Sequence, residues 1–148
     1  MSLSLQALDE RVAVCGQLAP ADMKDVAAAG YVAVVNNRPD REALFGQPRT
    51  ADLEKAAQEA GLVFLDLPFS GPNVRPEQVR AFRDLLAKRD GKVLAFCKSG
   101  MRSALLWGVA SMVSGRPLEE VLDAARKAGQ NLAAAGDAMT ALAAQSGG

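Results

Sequence analysis

Lys92-Val-Leu-Ala-Phe-Cys97-Lys-Ser-Gly-Met-Arg102-Ser-Ala-Leu-Leu-Trp107 is the stretch on which the fold turns. Val93 to Phe96 is a short apolar run with the length and composition of a buried strand. Cys97 stands where that strand should end, and a short loop containing Gly100 follows. From Arg102 onward the residues read as an apolar helix. The unit is a strand, a tight loop and a helix, with a thiol at its entry and a guanidinium at its exit.

Several effects would act on that thiol together. A loop entering a helix N-terminus presents backbone N–H groups without intrahelical partners, and the helix dipole adds partial positive charge. The N–H groups of Lys98, Ser99, Gly100 and Met101, turned inward, would form an anion-binding nest. Arg102 would close the ring with a permanently charged, forked donor suited to an oxyanion. In that setting Cys97 is expected to be a thiolate nucleophile at neutral pH. Gly100 lets the backbone turn without a Cβ clash. Ser103 is placed to donate to the sulfur or to a bound anion. A cysteine closing a strand is often only a small buried hydrophobe. The strand before it, the glycine beside it and the helix behind it favour a functional thiol.

The flanking chain repeats the alternation. Val12 to Cys15 is a short apolar strand closed by Gly16. Pro20 suits the first turn of a helix, with Met23, Val26 and Ala27 at helical spacing and Gly30 as its stop. Tyr31 to Val35 is apolar almost throughout, as in a strand covered on both faces. Asn36-Asn-Arg-Pro-Asp40 breaks it, and residues 41–49 form a polar loop. Thr50 is expected to cap a helix that runs to Ala60. Leu62 to Leu67 is a third strand and Pro68-Phe-Ser-Gly-Pro72 a loop. Pro76 opens a helix with Val79, Phe82, Leu85 and Leu86 on one face. Beyond the helix at 102–114, Gly115-Arg-Pro117 breaks the chain. Helices are expected over Leu118–Ala128 and Asn131–Ala144, with Ser146-Gly-Gly frayed.

Strands alternating with helices of about ten residues predict an α/β fold, with a mostly parallel central sheet of four or five strands flanked by helices. The 148 residues suit one domain, its core from about residue 12 to 115 and a helical C-terminal tail over 116–145. Ligands of such sheets bind beyond the carboxyl ends of the strands. Cys15-Gly16-Gln17, Asn36 to Asp40 and Pro68 to Pro72 therefore join the Cys97 loop as the rim of one site.

Composition narrows the chemistry. Lys+Arg and Asp+Glu are 17 each, so no basic field favours nucleic acid or an anionic membrane. The chain has no histidine, which removes Ser-His and Cys-His dyads, HExxH zinc sites and imidazole proton shuttles. Acids and bases must then be Asp, Glu, Lys, Tyr, Cys or water. Two cysteines make neither a four-ligand zinc site nor a secreted disulfide framework. No metal and no other cofactor is expected. Met1 to Gln6 lacks the pattern of a signal peptide, and Ala104 to Val113 is too short to span a bilayer. A reducing cytoplasm is the expected compartment. Cys15, at the end of its own strand, is either a resolving thiol for Cys97 or a buried spectator. Trp107 reads as a core or interface anchor.

Phe96-Cys97-Lys-Ser-Gly-Met-Arg102-Ser103, with Gly16-Gln17, Asn36-Asn-Arg-Pro-Asp40 and Gly46-Gln-Pro48 upstream, resembles the phosphatase-like domain of the beta-lactamase hydrolase-like proteins. The similarity runs from about Val12 to Gly115. It implies a fold like that of the dual-specificity protein phosphatases. Some members are named phosphatases and others sulfur transferases, the latter sometimes joined to a persulfide-oxidising metallo-beta-lactamase-type domain. With no room for that domain in 148 residues, such an enzyme is expected as a partner.

The departures from the phosphatase pattern separate the two activities. Protein phosphatases of this fold, so the resemblance implies, carry a His before the nucleophile and one more residue between Cys and Arg. Here Phe96 replaces that His, and only Lys98 to Met101 separate Cys97 from Arg102. The shorter loop has one N–H fewer for a tetrahedral phosphate, and matches the spacing of many rhodanese-type sulfurtransferases. Dual-specificity phosphatases also place an Asp general acid after the preceding strand, where this chain has Ser70 or Gly71. Asp66 lies earlier, within a strand. Asp40 is the better substitute acid, against its plainer role as a turn-forming Asp after Pro.

Losing a general acid costs about a hundredfold or more. Sulfite or a thiolate of suitable basicity leaves without strong acid help. Sulfur transfer is therefore the expected function. Cys97 would attack the outer sulfur of thiosulfate or a persulfide, the loop amides and Arg102 would hold the departing anion, and a thiol or cyanide would accept the sulfur. Lys98 either adds charge at the mouth or is simply solvated. Hydrolysis of a phosphate ester through a phosphocysteine is the alternative. A module that holds an anion in the nest without turnover is the second.

Overall fold

A computed structural model describes residues 3–147. Among these residues five strands form one sheet: β1 (Gln6–Ala7), β2 (Val12–Cys15), β3 (Tyr31–Asn36), β4 (Val63–Asp66) and β5 (Lys92–Phe96), in the order β1-β2-β5-β3-β4. β2, β5, β3 and β4 run parallel, and the two-residue β1 pairs antiparallel with β2. β1 has no apolar alternation to announce it, and the sequence reading missed it. β5 lies between β2 and β3, and Val93 to Phe96 have no exposed surface. Burial on both faces is why that run shows no period of two.

Alternate side chains feed two cores. Val12 and Val14 of β2, Ala33 and Val35 of β3, and Val93 and Ala95 of β5 face a layer containing α3 (Pro76–Lys88) and α4 (Met101–Val113). Ala13, Cys15, Val34, Leu94 and Phe96 face α1 (Met23–Ala28) and α2 (Thr50–Glu59) through Met23, Val26, Leu53 and Ala57. α4 is apolar around nearly its whole circumference because it is enclosed, Ser103 to Ser111 being buried. α5 (Leu118–Lys127) and α6 (Gly136–Ser146) cover its outer side. A Cβ on Gly108 would lie 2.6 Å from Met139 Cε and 3.0 Å from Val121 Cγ1, so a larger residue there would make both side chains shift.

Several boundaries differ from expectation. Pro20–Asp22 form a 3₁₀ turn before α1, with the Asp22 carboxylate accepting from the Ala19 N–H at 2.8 Å. Thr50 is the first residue of α2 rather than its cap. α6 starts at Gly136 instead of Asn131, after a 3₁₀ turn at Ala133–Ala135. Ser146 is buried rather than frayed, its Oγ donating to Leu142 O at 2.7 Å, while Gly148 lies outside the described residues. The segment expected as a tail contributes Val121, Ala125, Leu132 and Met139 to the core under the sheet. No helix among the described residues is long and apolar enough to cross a membrane.

Candidate active site

The Cys97 loop continues β5 directly into α4. The Cys97 N–H donates to Cys15 O at 3.4 Å, carrying the β2–β5 pairing one residue past the strand. A Cβ on Gly16 would stand 3.0 Å from Lys98 O, so the end of β2 lies close against the loop. Gly100 has φ +95°, and its N–H donates to Cys97 Sγ at 3.1 Å. Its carbonyl accepts from the Ala104 N–H at 2.9 Å, which opens the ladder of α4. Cys97 is wholly buried, and Lys98, Ser99 and Met101 are the exposed members of the loop. The sequence-predicted elements thus bring Cys97, Gly100 and Arg102 together at the carboxyl end of the sheet.

Arg102 is held by a residue that the sequence reading did not single out. Its Nη1 and Nη2 donate to Glu42 Oε2 and Oε1 at 2.8 and 2.7 Å, and Nη1 also donates to Phe69 O at 3.1 Å. Arg38 Nε donates to Glu42 Oε1 at 2.9 Å, and Arg38 Nη1 to Gln17 Oε1 at 2.9 Å. The bond to Glu42 raises the Arg102 guanidinium above its ordinary value; burial opposes this, and the charge of Cys97 adds to it. The bond from Arg102 in turn lowers the Glu42 carboxyl, against burial and with help from Arg38. Glu42 sits in the polar 41–49 loop, where nothing in the pattern marked it. In the same loop Leu44 is 93% exposed and Phe45 90%, against the usual direction for such side chains.

Ser103 does not turn its proton to the sulfur. Its Oγ donates to Asn37 Oδ1 at 2.8 Å, and both residues are fully buried. Asn37 Nδ2 donates to Leu67 O and its N–H to Phe96 O, each at 2.9 Å. The side chain therefore ties the end of β4 to α4 beneath the loop, and the backbone N–H adds the end of β5. The sequence placed Asn37 in a turn on the rim of the site and gave it no role of its own.

The carboxylates considered as acids have other partners. Asp40 Oδ1 accepts from both Thr50 N and Thr50 Oγ1 at 2.8 Å, so it supplies the cap of α2 from outside the helix. Asp66 Oδ1 accepts from Asn36 Nδ2 at 2.8 Å; burial raises its carboxyl and that bond opposes the rise. By strand alternation Asp66 follows Phe64 onto the α1/α2 face. Ser70 and Gly71 are exposed on the loop after β4.

Cys15 packs with Leu94 and Phe96 in the α1/α2 layer. Burial, then the charges of Cys97 and Asp22, push its thiol up to about 12. It is a neutral core side chain at neutral pH. From the far end of the chain, Gln130 Nε2 reaches the loop and donates to Ser99 O at 3.1 Å and to Gln6 Oε1 at 2.9 Å.

Residues 4–114 match the family described as "Beta-lactamase hydrolase-like protein, phosphatase-like domain". The beta-lactamase hydrolase-like protein of Agrobacterium fabrum is 35% identical over 109 residues, which are 74% of this chain and 25% of that protein. The chain thus spans about a quarter of that curated relative's length. A putative phosphatase from Neisseria meningitidis superposes with a TM-score of 0.82 at 31% identity, over 95% of this chain and 99% of that one. Kinase associated phosphatase, at 13% identity, covers 99% of this chain and 96% of its own with a TM-score of 0.78 and shares the fold. The fold is that of the dual-specificity and protein-tyrosine phosphatases.

Proposed function

The chain belongs to the phosphatase-like domain family of the beta-lactamase hydrolase-like proteins, and on that footing we propose that it is a thiol-nucleophile enzyme passing sulfane sulfur through Cys97. The observation that carries this reading is the engagement of every carboxylate named around the loop. Glu42 is held ionised between Arg102 and Arg38, Asp40 is bound to Thr50, and Asp66 lies on the other face of the sheet. Ser70 and Gly71 carry no acid. Such a site suits a leaving group that departs without a proton.

Cys97 attacks the outer sulfur of thiosulfate, the S–S bond breaks, and sulfite leaves with the electron pair. A low-molecular-weight persulfide reacts in the same way and releases a thiolate. Amides of the loop and the free donors of Arg102 hold the departing anion and then the Cys97 persulfide. A thiolate or cyanide attacks the outer sulfur and returns Cys97 as thiolate. The partners are the sulfur donor, a thiol acceptor and a persulfide-oxidising metallo-beta-lactamase-type enzyme, in a reducing cytoplasm.

Phosphomonoester hydrolysis through a phosphocysteine is the second reading, and the comparisons support it better than the first. The matching family is described as phosphatase-like, and the Neisseria structure is called a putative phosphatase. Turnover of thiosulfate with cyanide, of a persulfide with a thiol, and of p-nitrophenyl phosphate, in wild type and Cys97→Ser, separates them. Sulfur transfer lost in Cys97→Ser is the expected result. Phosphatase activity alone, lost in that variant, reverses the order. No turnover, with anion binding that survives in Cys97→Ser, leaves a binding module.

A further inference from the structure

We infer that Gln130 is a positioning residue for the Cys97 loop: its side-chain amide turns the Ser99–Gly100 peptide so that the peptide N–H points at the sulfur. The inference rests on Cys97 being the nucleophile. Ser99 O and Gly100 N belong to one planar peptide unit, and the described residues contain no cis bond. In a trans unit the C=O and the N–H point in opposite directions. The outward C=O accepts from Gln130 Nε2 at 3.1 Å, and the inward N–H donates to Cys97 Sγ at 3.1 Å. Whatever fixes one end fixes the other.

The loop's own backbone provides little to hold that peptide. Gly100 sits at φ +95°, where glycine moves between conformations at small cost. Turned over, the peptide would aim the Ser99 carbonyl at a thiolate. The hold has to come from outside, and the Gln130 amide is built for it. Its second proton goes to Gln6 Oε1 at 2.9 Å, so both donors face acceptors. Rotating the amide by half a turn would set oxygen against both Ser99 O and Gln6 Oε1. The Gln130 backbone N–H donates to Ala125 O at 2.8 Å, anchoring it to the end of α5, and only 6% of the residue is exposed. A Cβ on Gly100 would lie 2.8 Å from Nε2, so the amide rests directly on the loop. The charged and titratable groups around the sulfur are Arg102 on α4, Glu42 behind it, and Cys15 at the end of β2.

Gln130→Met keeps the size of the side chain and removes the donor. The rate of iodoacetamide alkylation at Cys97, resolved by mass spectrometry, is followed against pH in wild type and variant, with melting temperature as the control for folding. The expected result is a profile displaced to higher pH and a kcat about ten- to a hundredfold lower, the range for losing hydrogen-bond support at a charged group. A folded Gln130→Met with an unchanged profile overturns the inference, even where its melting temperature has dropped. Should Gln130→Met not fold, Gln6→Met removes only the acceptor that orients the amide. A smaller displacement in the same direction supports the inference, and none overturns it. Failure of the proposed function is a separate result, read from turnover in wild type and Cys97→Ser. The alkylation profile reports the peptide whichever donor the enzyme takes.

Discussion

Arg102 and Glu42, 60 positions apart in the chain, form a two-pronged ion pair with N–O distances of 2.8 and 2.7 Å. With the bond to Phe69 O, three of the five guanidinium donors are spent on these two residues, and two remain. Glu42 thereby fixes which edge of Arg102 the loop can use. It also balances the charge of the guanidinium beside Cys97.

The pair gives the fold an acid-sensitive component. The Glu42 carboxyl is held below its ordinary value of 4.5, chiefly by Arg102. A value depressed by folding means that the unfolded chain takes up the proton first. The stabilisation is complete above about pH 4.5 and is lost as the pH falls through the folded value below it. Urea unfolding across that range is expected to show wild type losing stability more steeply than Glu42→Gln. Equal slopes would remove Glu42 as the source.

Asp40 separates capping from catalysis. Asp40→Ala removes both bonds to Thr50 and is expected to cost roughly 1 kcal/mol in denaturant unfolding. Turnover should stay within about twofold of wild type, since a cap carries no proton in the reaction. A loss of about a hundredfold in a stable variant would make Asp40 the acid after all.

Asn37 and Ser103 form a buried polar pair. Asn37→Ala strands the Ser103 hydroxyl and the Leu67 carbonyl, for a loss of about 1–3 kcal/mol. Ser103→Ala leaves Asn37 Oδ1 without its donor. The double variant is expected to lose less than the sum of the two, because the shared bond is counted once. Additive losses by urea titration would show that the pair is not coupled.

Cys15, with its thiol pushed up to about 12, is expected to resist alkylation at pH 8 while the chain is folded and to react once it is unfolded. Peptide mapping after a short iodoacetamide pulse distinguishes the two cysteines. Cys15→Ala should retain turnover within about twofold. Dependence of sulfur transfer on Cys15 would restore the resolving role that its placement in the α1/α2 layer disfavours.

Much of this molecule is legible in short windows of the chain. Val93 to Phe96, Cys97, Gly100 and Arg102 lie within ten consecutive residues, and the apolar runs and breaks around them repeat the same unit. Strand, loop and helix follow from local patterning because apolar period, glycine and proline act over a few residues. That was enough to predict a mostly parallel sheet and to place a thiol and a guanidinium at one of its ends. β1 escaped because two residues cannot display a period, and α6 began late because Ala133–Ala135 took a tighter turn.

The partners of the site residues came only with the tertiary structure. Glu42 on Arg102, Asn37 on Ser103 and Gln130 on Ser99 span 60, 66 and 31 positions, and each rests on one or two hydrogen bonds. A lone Glu in a polar loop or a Gln after a glycine carries no periodic signature, because its role depends on what the folded chain brings opposite it. The covalent order of the chain therefore determined the architecture and the position of the Cys97 loop. Which donors that loop has free, which carboxylates are engaged and what holds its peptides were decided by packing across the sheet, where a hydrogen bond depends on proximity in space and not on distance along the chain.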